Sequence, residues 1–196
     1  MKKLSFLLLT GAILFQSCGN NNSEVKVTDS VQNKEAEATI NAPDTSISHN
    51  QPSVDSKSSE FAMKAANGSM MEVELGRWAQ DHSSNTRVKE FGAMMVTDHS
   101  KANDELKGIA STKGISLPGM VNGEEKMHMD ELMAKKGTDF DRAYVNMMVD
   151  DHQKDVAEFE KASKDLIEPM LKDFASKTLP VLQKHYTAIK SIKSKL

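Results

Sequence analysis

Three histidines in this chain stand where a helical residue faces inward. His99 has Met95 one turn before it and Ala102 and Leu106 after it; His152 lies between Met148 and Val156, and His185 between Val181 and Ala188. Glu72 shares a helical face with Gly68 and Leu75, because residues three and four apart lie on one side of a helix. Imidazoles, thioethers and a carboxylate gathered in a dry interior form a metal-binding set, and the His–Met combination suits copper(I) or another transition metal. The candidate ligands are Glu72, His99, His152 and His185, with Met95 and Met148 beside the first two histidines. A plainer reading fits the same residues: each histidine hydrogen-bonds an Asp or Glu across the core, since buried polar groups need partners. His82 and His128 read as surface or capping residues, and His49 has no assigned role.

Cys18 is the one cysteine of the chain and the second position of chemical interest. Met1-Lys2-Lys3 is followed by an apolar run from Leu4 through Phe15, interrupted at Ser5, Thr10 and Gly11. A short basic head before a short apolar core is the layout of a secretory signal, and the run falls short of the ~20 residues a permanent span needs. It ends in Phe15-Gln16-Ser17-Cys18-Gly19, which resembles a relaxed lipobox. Residues 1–17 are therefore expected to be a lipoprotein signal peptide and Cys18 the lipidated first residue of the mature chain. An ordinary cleaved signal with an incidental Cys18 is the alternative. Lipidation would place the protein in the cell envelope, at the outer membrane or facing the periplasm, with the membrane as its partner. Residues 18–58 carry Asn, Ser, Thr, Glu, Lys and Asp with Pro43 and Pro52 and no aromatic residue. Such a segment buries too little apolar surface to offset its chain entropy and is expected to be a disordered tether.

Other chemistries find no footing. The formal net charge of −3 and the dispersed lysines exclude a basic groove for nucleic acid. No Gly-rich phosphate loop is present, and no Ser/His/Asp order can be tied to a fold.

The elements that must position the histidines are helical. Residues 59–196 are expected to be one domain, all-α, with four long amphipathic helices and one short crossover helix. The first helix reads from Glu60 to Gln80 behind a cap at Ser58 or Ser59, with Phe61, Ala65, Met71, Leu75 and Trp78 on its apolar face. The second runs from Ser84 or Asn85 to Lys113-Gly114, and a short helix spans Glu124 to Lys136, closed by Gly137. Thr138 or Asp139 caps a long helix through Ser163, and the last helix starts near Glu168-Pro169. Its inner stripe reads Phe174, Thr178, Val181, His185, Ala188 and Ile192, and Pro180 should kink or split it. With aromatics at 5% and thirteen methionines, the core is expected to rely on Met as a gap-filler.

An internal repeat ties two of the histidines together. FGAMMVTDHSKANDELKGIA at 91–110 aligns without gaps to YVNMMVDDHQKDVAEFEKAS at 144–163. Met94/Met147, Met95/Met148, Val96/Val149, Asp98/Asp151 and His99/His152 are identical pairs. Counted from the hairpin turns near Ser83 and Leu166, His99, His152, His185 and Glu72 all fall near mid-height of the bundle, at ~1.5 Å rise per residue.

Motifs along the chain resemble a known family. Glu72-Val73-Glu74-Leu75-Gly76, Met95-Val96-Thr97-Asp98-His99-Ser100-Lys101, Phe140-Asp141-Arg142-Ala143-Tyr144 and Leu179-Pro180-Val181-Leu182-Gln183-Lys184-His185 are among them. Together they are similar to the ferritin-like "domain of unknown function 4142" family of bacterial exported proteins. The resemblance implies a ferritin-like four-helix bundle and carries no agreed activity. Di-iron sites in such bundles use Glu-x-x-His on two helices, whereas the residues three before His99 and His152 are Val96 and Val149. An iron-oxidising centre is therefore disfavoured. Three functions remain in order: a non-enzymatic envelope lipoprotein of unknown activity, a periplasmic metal-binding protein, and a di-metal oxidative-stress enzyme.

Overall fold

The computed structural model describes residues 54–196. The expected signal peptide, Cys18 and the expected tether as far as residue 53 lie outside the described residues. Five helices follow in order: α1 Ser56–His82, α2 Thr86–Lys113, α3 Gly123–Met133, α4 Gly137–Asp165 and α5 Pro169–Lys193. No strand occurs among the described residues. The four long helices form a ferritin-like bundle built from two antiparallel hairpins, α1 with α2 and α4 with α5. The α2 helix also packs on α5 and α1 on α4, while α3 crosses between the hairpins and leans on α1 and α4. No described helix is long and apolar enough to cross a membrane.

The helix ends follow local chemistry, with two departures from expectation. Asp55, rather than Ser58 or Ser59, caps α1, accepting a bond from the Ser58 N–H at 3.1 Å. The helix thus starts three residues before the expected domain boundary at Ser59. Asn85 caps α2 through the Arg87 N–H at 2.9 Å, and Gly114, at φ 68°, ends it, as a left-handed C-terminal glycine does. The α4 start is the second departure. Gly137, at φ 54°, is its first residue behind Lys136, with no side-chain cap, so Thr138 and Asp139 fall inside the first turn. Asp139 still favours the helix there by its charge. Glu168 caps α5 by accepting from the Leu171 N–H at 2.9 Å and pairs with Lys113 Nζ at 2.7 Å, tying the end of α2 to the start of α5.

Pro180 does not split α5, which runs unbroken from Pro169 to Lys193. Pro180 is exposed, so water can satisfy the carbonyl whose helical donor the ring removes. The buried stripe of α5 is also turned by one position. Leu171, Phe174, Ala175, Leu182, His185 and Ile189 are buried, while Val181, Ala188 and Ile192 are only partly so. Both stripes contain His185 at helical spacing, and packing against α2 and α4 selects the bulkier Leu182 and Ile189.

The core falls into two apolar clusters at opposite ends of the bundle. One gathers Met71, Leu75, Phe91, Met95, Phe140, Tyr144, Met148 and Ile189. The other gathers Phe61, Leu106, Ile109, Phe159, Leu171, Phe174 and Leu182. In the first, α1 and α2 approach closely at Gly76 and Gly92: a Cβ on Gly76 would lie 2.7 Å from the Gly92 carbonyl oxygen, and one on Gly92 would lie 2.6 Å from that of Gly76. This contact explains why position 92 departs from its repeat counterpart, Val145.

Candidate metal centre

Each of the four long helices sends one polar side chain to mid-height: Glu72 from α1, His99 from α2, His152 from α4 and His185 from α5. All four are buried, with His152 and His185 fully so. The three imidazole rings lie 5.3 to 5.8 Å apart, centroid to centroid. One ring nitrogen from each comes within 4.8 Å of the other two.

The hydrogen bonds divide each ring into an occupied and a free side. His99 Nδ1 faces Glu72 Oε2 at 2.9 Å, with Ser69 Oγ 3.2 Å away. His152 Nδ1 donates to the Met148 carbonyl oxygen at 3.0 Å. His185 Nε2 donates to Asp98 Oδ2 at 2.8 Å. The remaining nitrogens, His99 Nε2, His152 Nε2 and His185 Nδ1, are buried with no hydrogen-bond partner. A neutral imidazole that donates through one nitrogen holds a lone pair on the other. Three lone pairs from three helices therefore point into a dry interior, with no donor to satisfy them among the described residues.

Electrostatics favours the neutral form of two of these rings. Burial lowers the His185 pKa to about 4, against the Asp98 hydrogen bond that raises it. Burial likewise lowers that of His152, with the Glu72 charge opposing. Burial works against ionisation of Glu72, but the imidazoles of His99 and His152 outweigh it and hold the carboxyl below the usual carboxylate range. Glu72 Oε1 stands 3.4 Å from His152 Nδ1 and makes no hydrogen bond, since that nitrogen's proton goes to Met148. A buried carboxylate needs positive charge or hydrogen bonds beside it, and Glu72 finds its closest partner in His99 Nδ1.

The donor set fits a transition metal. Imidazole suits zinc, copper, iron and nickel, and metal-bound histidines characteristically give their other nitrogen to a carboxylate or carbonyl. A tetrahedral ion with bonds of ~2.0–2.1 Å spaces its nitrogens about 3.4 Å apart, so the trio would draw in by no more than about 1.4 Å. Among the described residues, no Glu or Asp joins the three histidines in that geometry. Glu72 instead orients His99. Met95 and Met148 are fully buried in the apolar cluster with Phe91 and Tyr144; at Met148 it is the carbonyl oxygen that reaches a histidine.

The repeat puts Asp98 and Asp151 next to the histidines, where each either flanks the site or meets solvent; Asp98 flanks it and orients His185. Ser69 and the Met148 carbonyl had no signal in the sequence. Phe91 sets its ring edge-on to His152 and His185, at 5.9 and 6.4 Å. His82 is exposed and stacks on Trp78 at 3.6 Å, and His128 is exposed, as expected of surface residues.

A cleft of ≈ 330 Å³ opens beside the centre, lined by residues of all five helices, with His99 and Glu72 in its wall. Asp151, Asp155 and Glu158 line it from α4. Burial, then the Glu72 charge, pushes the Asp151 carboxyl up to about 6. Burial, with Glu72, Asp151 and Glu158 following, pushes Asp155 well above the usual range.

No match to a curated protein was found. A crystal structure of a DUF305 fragment from Deinococcus radiodurans is similar, with a TM-score of 0.65 at 12% identity over 74% of this chain and 100% of that one. At that identity the likeness is one of fold alone. The profile of the "domain of unknown function (DUF4142)" family matches residues 44–192, and the chain, with its buried trio of histidines, belongs to that family.

Proposed function

We propose that this chain is an exported, lipid-anchored protein that binds a transition metal through His99, His152 and His185 and holds it without turning over a substrate. One observation carries the reading: three buried imidazole nitrogens, one from each of three helices, lack partners while the opposite nitrogen of each ring is fixed. Glu72 and Asp98 supply the outer hydrogen bonds, and the ionised Glu72 offsets part of the ion's charge. His152 and His185 do not line the cleft, which suits storage or transfer of an ion better than chemistry on an organic substrate. The residues three before His99, His152 and His185 are Val96, Val149 and Leu182 rather than Glu, which argues against the di-metal oxidative-stress enzyme. The anchor rests on Cys18 and the apolar run before it.

The test is titration of the full chain, made without a histidine tag, with copper(I), zinc and iron(II), beside a His99→Ala/His152→Ala double variant. Stoichiometric binding that disappears in the variant is the expected result. No binding by the parent chain would mean the histidines serve only to satisfy Glu72 and Asp98. Loss of membrane association on Cys18→Ala tests the anchor separately.

A further inference from the structure

We propose that the end of the bundle carrying the α1–α2 turn is a docking surface for the anionic headgroups of a phospholipid membrane. The choice of a membrane as occupant rests on the proposed anchor at Cys18; the basic surface itself does not.

The net charge of −3 conceals an uneven distribution. Four helix ends meet at the α1–α2 turn. Asp141, in the second turn of α4, accepts hydrogen bonds from Ser83 Oγ and from the Ser84 N–H and Oγ, which sets the start of α4 against the turn. Ile189, near the end of α5, packs in the same apolar cluster as Phe91 and Phe140, near the starts of α2 and α4. Around this end stand Arg87 and Lys89 of α2, Lys135 and Lys136 just before α4, and Arg142 within it. Lys190 and Lys193 of α5 and Lys195 beyond it complete the ring. All are exposed except the half-buried Lys89, and none makes an ion pair among the described residues. The lysines that do pair, Lys113, Lys161 and Lys164 among them, lie elsewhere on the bundle. The exposed acids here are fewer: Asp81, Glu90, Glu131 and Asp139.

Helix electrostatics does not account for these cations. A helix start carries the positive end of the dipole and disfavours positive side chains. Yet the first turn of α2 holds Arg87 and Lys89 and no acid, and Lys136 occupies the cap position of α4 with no side-chain cap. Of the eight, Lys190 and Lys193 stand in the last turn of a helix, where the dipole favours them. The internal repeat agrees: continued back two residues from Phe91 and Tyr144, it pairs Lys89 with Arg142, so each hairpin brings a cation to this end. Cations held against the dipole and without acidic partners await an anion from outside the chain.

Two features select a membrane as that anion. The cations are spread over the ends of three helices, and none lines the cleft beside the histidines, so they suit an array of headgroups better than a single phosphate. Residues 19–54 span at most roughly 120 Å, well beyond the ~40 Å length of the 27-residue α1. A chain anchored at Cys18 can therefore lay the far end of its bundle on the same membrane. Each Lys or Arg that reaches an anionic surface raises partitioning roughly fivefold, and salt screens the effect within a Debye length.

The test uses residues 18–196, the mature chain expected after signal removal, with Cys18→Ser so that it carries no lipid. It is sedimented with vesicles of phosphatidylglycerol and phosphatidylethanolamine; vesicles of phosphatidylcholine alone and soluble polyphosphate are the comparisons. The basic-end variant is Arg87→Gln/Lys136→Gln/Lys193→Gln/Lys195→Gln, with Arg87→Gln/Lys136→Gln as a milder second. The control, Lys57→Gln/Lys161→Gln/Lys164→Gln/Lys177→Gln, makes the same change in net charge at exposed lysines away from this end.

The expected result is salt-sensitive binding to the phosphatidylglycerol vesicles. It should weaken roughly twentyfold or more in the basic-end variant, roughly fivefold or more in the double, and less than about threefold in the control. The double variant should unfold at the same or a higher temperature, since its cations oppose the dipoles of α2 and α4. No binding to the anionic vesicles, equal binding to phosphatidylcholine, or equal losses in the variant and the control would overturn the docking surface. Binding to polyphosphate without binding to vesicles would overturn the membrane in favour of a soluble polyanion. Fractionation of cells carrying Cys18→Ala, read after a high-salt wash, reports on the anchor by itself, so either reading can fail while the other stands.

Discussion

Asp98→Ala separates a metal-orienting role from a merely structural one. Asp98 Oδ2 accepts the His185 Nε2 proton at 2.8 Å, which leaves the lone pair on buried Nδ1. Without Asp98 the ring can rotate or change tautomer. Loss of such an outer hydrogen bond typically lowers metal affinity by roughly 10- to 100-fold, or about 1.4 to 2.7 kcal/mol. Metal stabilises the native state by its binding free energy at the free concentration used. At roughly 2–4 °C per kcal/mol for a chain of this size, the Tm rise on adding zinc should shrink by roughly 3 to 11 °C. The metal-free variant should also lose about 1–3 kcal/mol, because the His185 N–H is left buried without an acceptor. Asp98→Asn retains an acceptor and should restore most of that second loss. The assay is thermal unfolding of both variants and the parent, with zinc at fixed free concentration and with chelator. A variant that loses metal-free stability yet keeps the full zinc shift would refute the assignment of His185 as a ligand.

Two further outcomes follow from the geometry. The His185 pKa is about 4 in the folded chain against an ordinary 6.5, so between these values the unfolded state binds the proton that the native state refuses. Metal-free stability should therefore be full above about pH 6.5 and fall by about 3 kcal/mol as the pH drops to 4, as denaturant melts across that window would register. Asp151, raised to about 6, acts in the opposite sense between pH 4 and 6, so Asp151→Asn should steepen the loss; a pH-independent midpoint in that variant would contradict the sign. At the α1–α2 contact, Gly76→Ala should cost about 1–3 kcal/mol because its Cβ meets backbone. Gly108→Ala, where nothing lies within 4 Å, should gain up to about 1 kcal/mol; equal effects at the two sites in urea melts would show that the close approach is absent.

The internal symmetry of the bundle bears on how such a centre is arranged. The M-M-V-x-D-H repeat supplies one histidine to α2 and one to α4, and the facing helices then break the symmetry. The α5 helix offers His185 to Asp98, and α1 offers Glu72 to His99. A third imidazole and a compensating carboxylate thus replace two equivalent partners, and one aspartate of the repeat is left facing the cleft.

Helix number, the burial of Glu72, His99, His152 and His185, and their common height were legible in the sequence. They depend on period and rise, which are local properties of a helix. The turn residues were mostly legible for the same reason: Asn85, Gly114 and Pro169 act on their own backbone. The start of α4 was not, because the left-handed Gly137 begins the helix where a polar cap was expected at Thr138 or Asp139. The true stripe of α5 needed the neighbouring helices, since Val181 and Leu182 are equally apolar and only packing distinguishes them. Above all, periodicity puts a histidine on an inner face without saying which nitrogen is occupied. That is decided across helices, by Glu72 against His99 and Asp98 against His185, where tertiary packing sets the hydrogen bonds and leaves three lone pairs free.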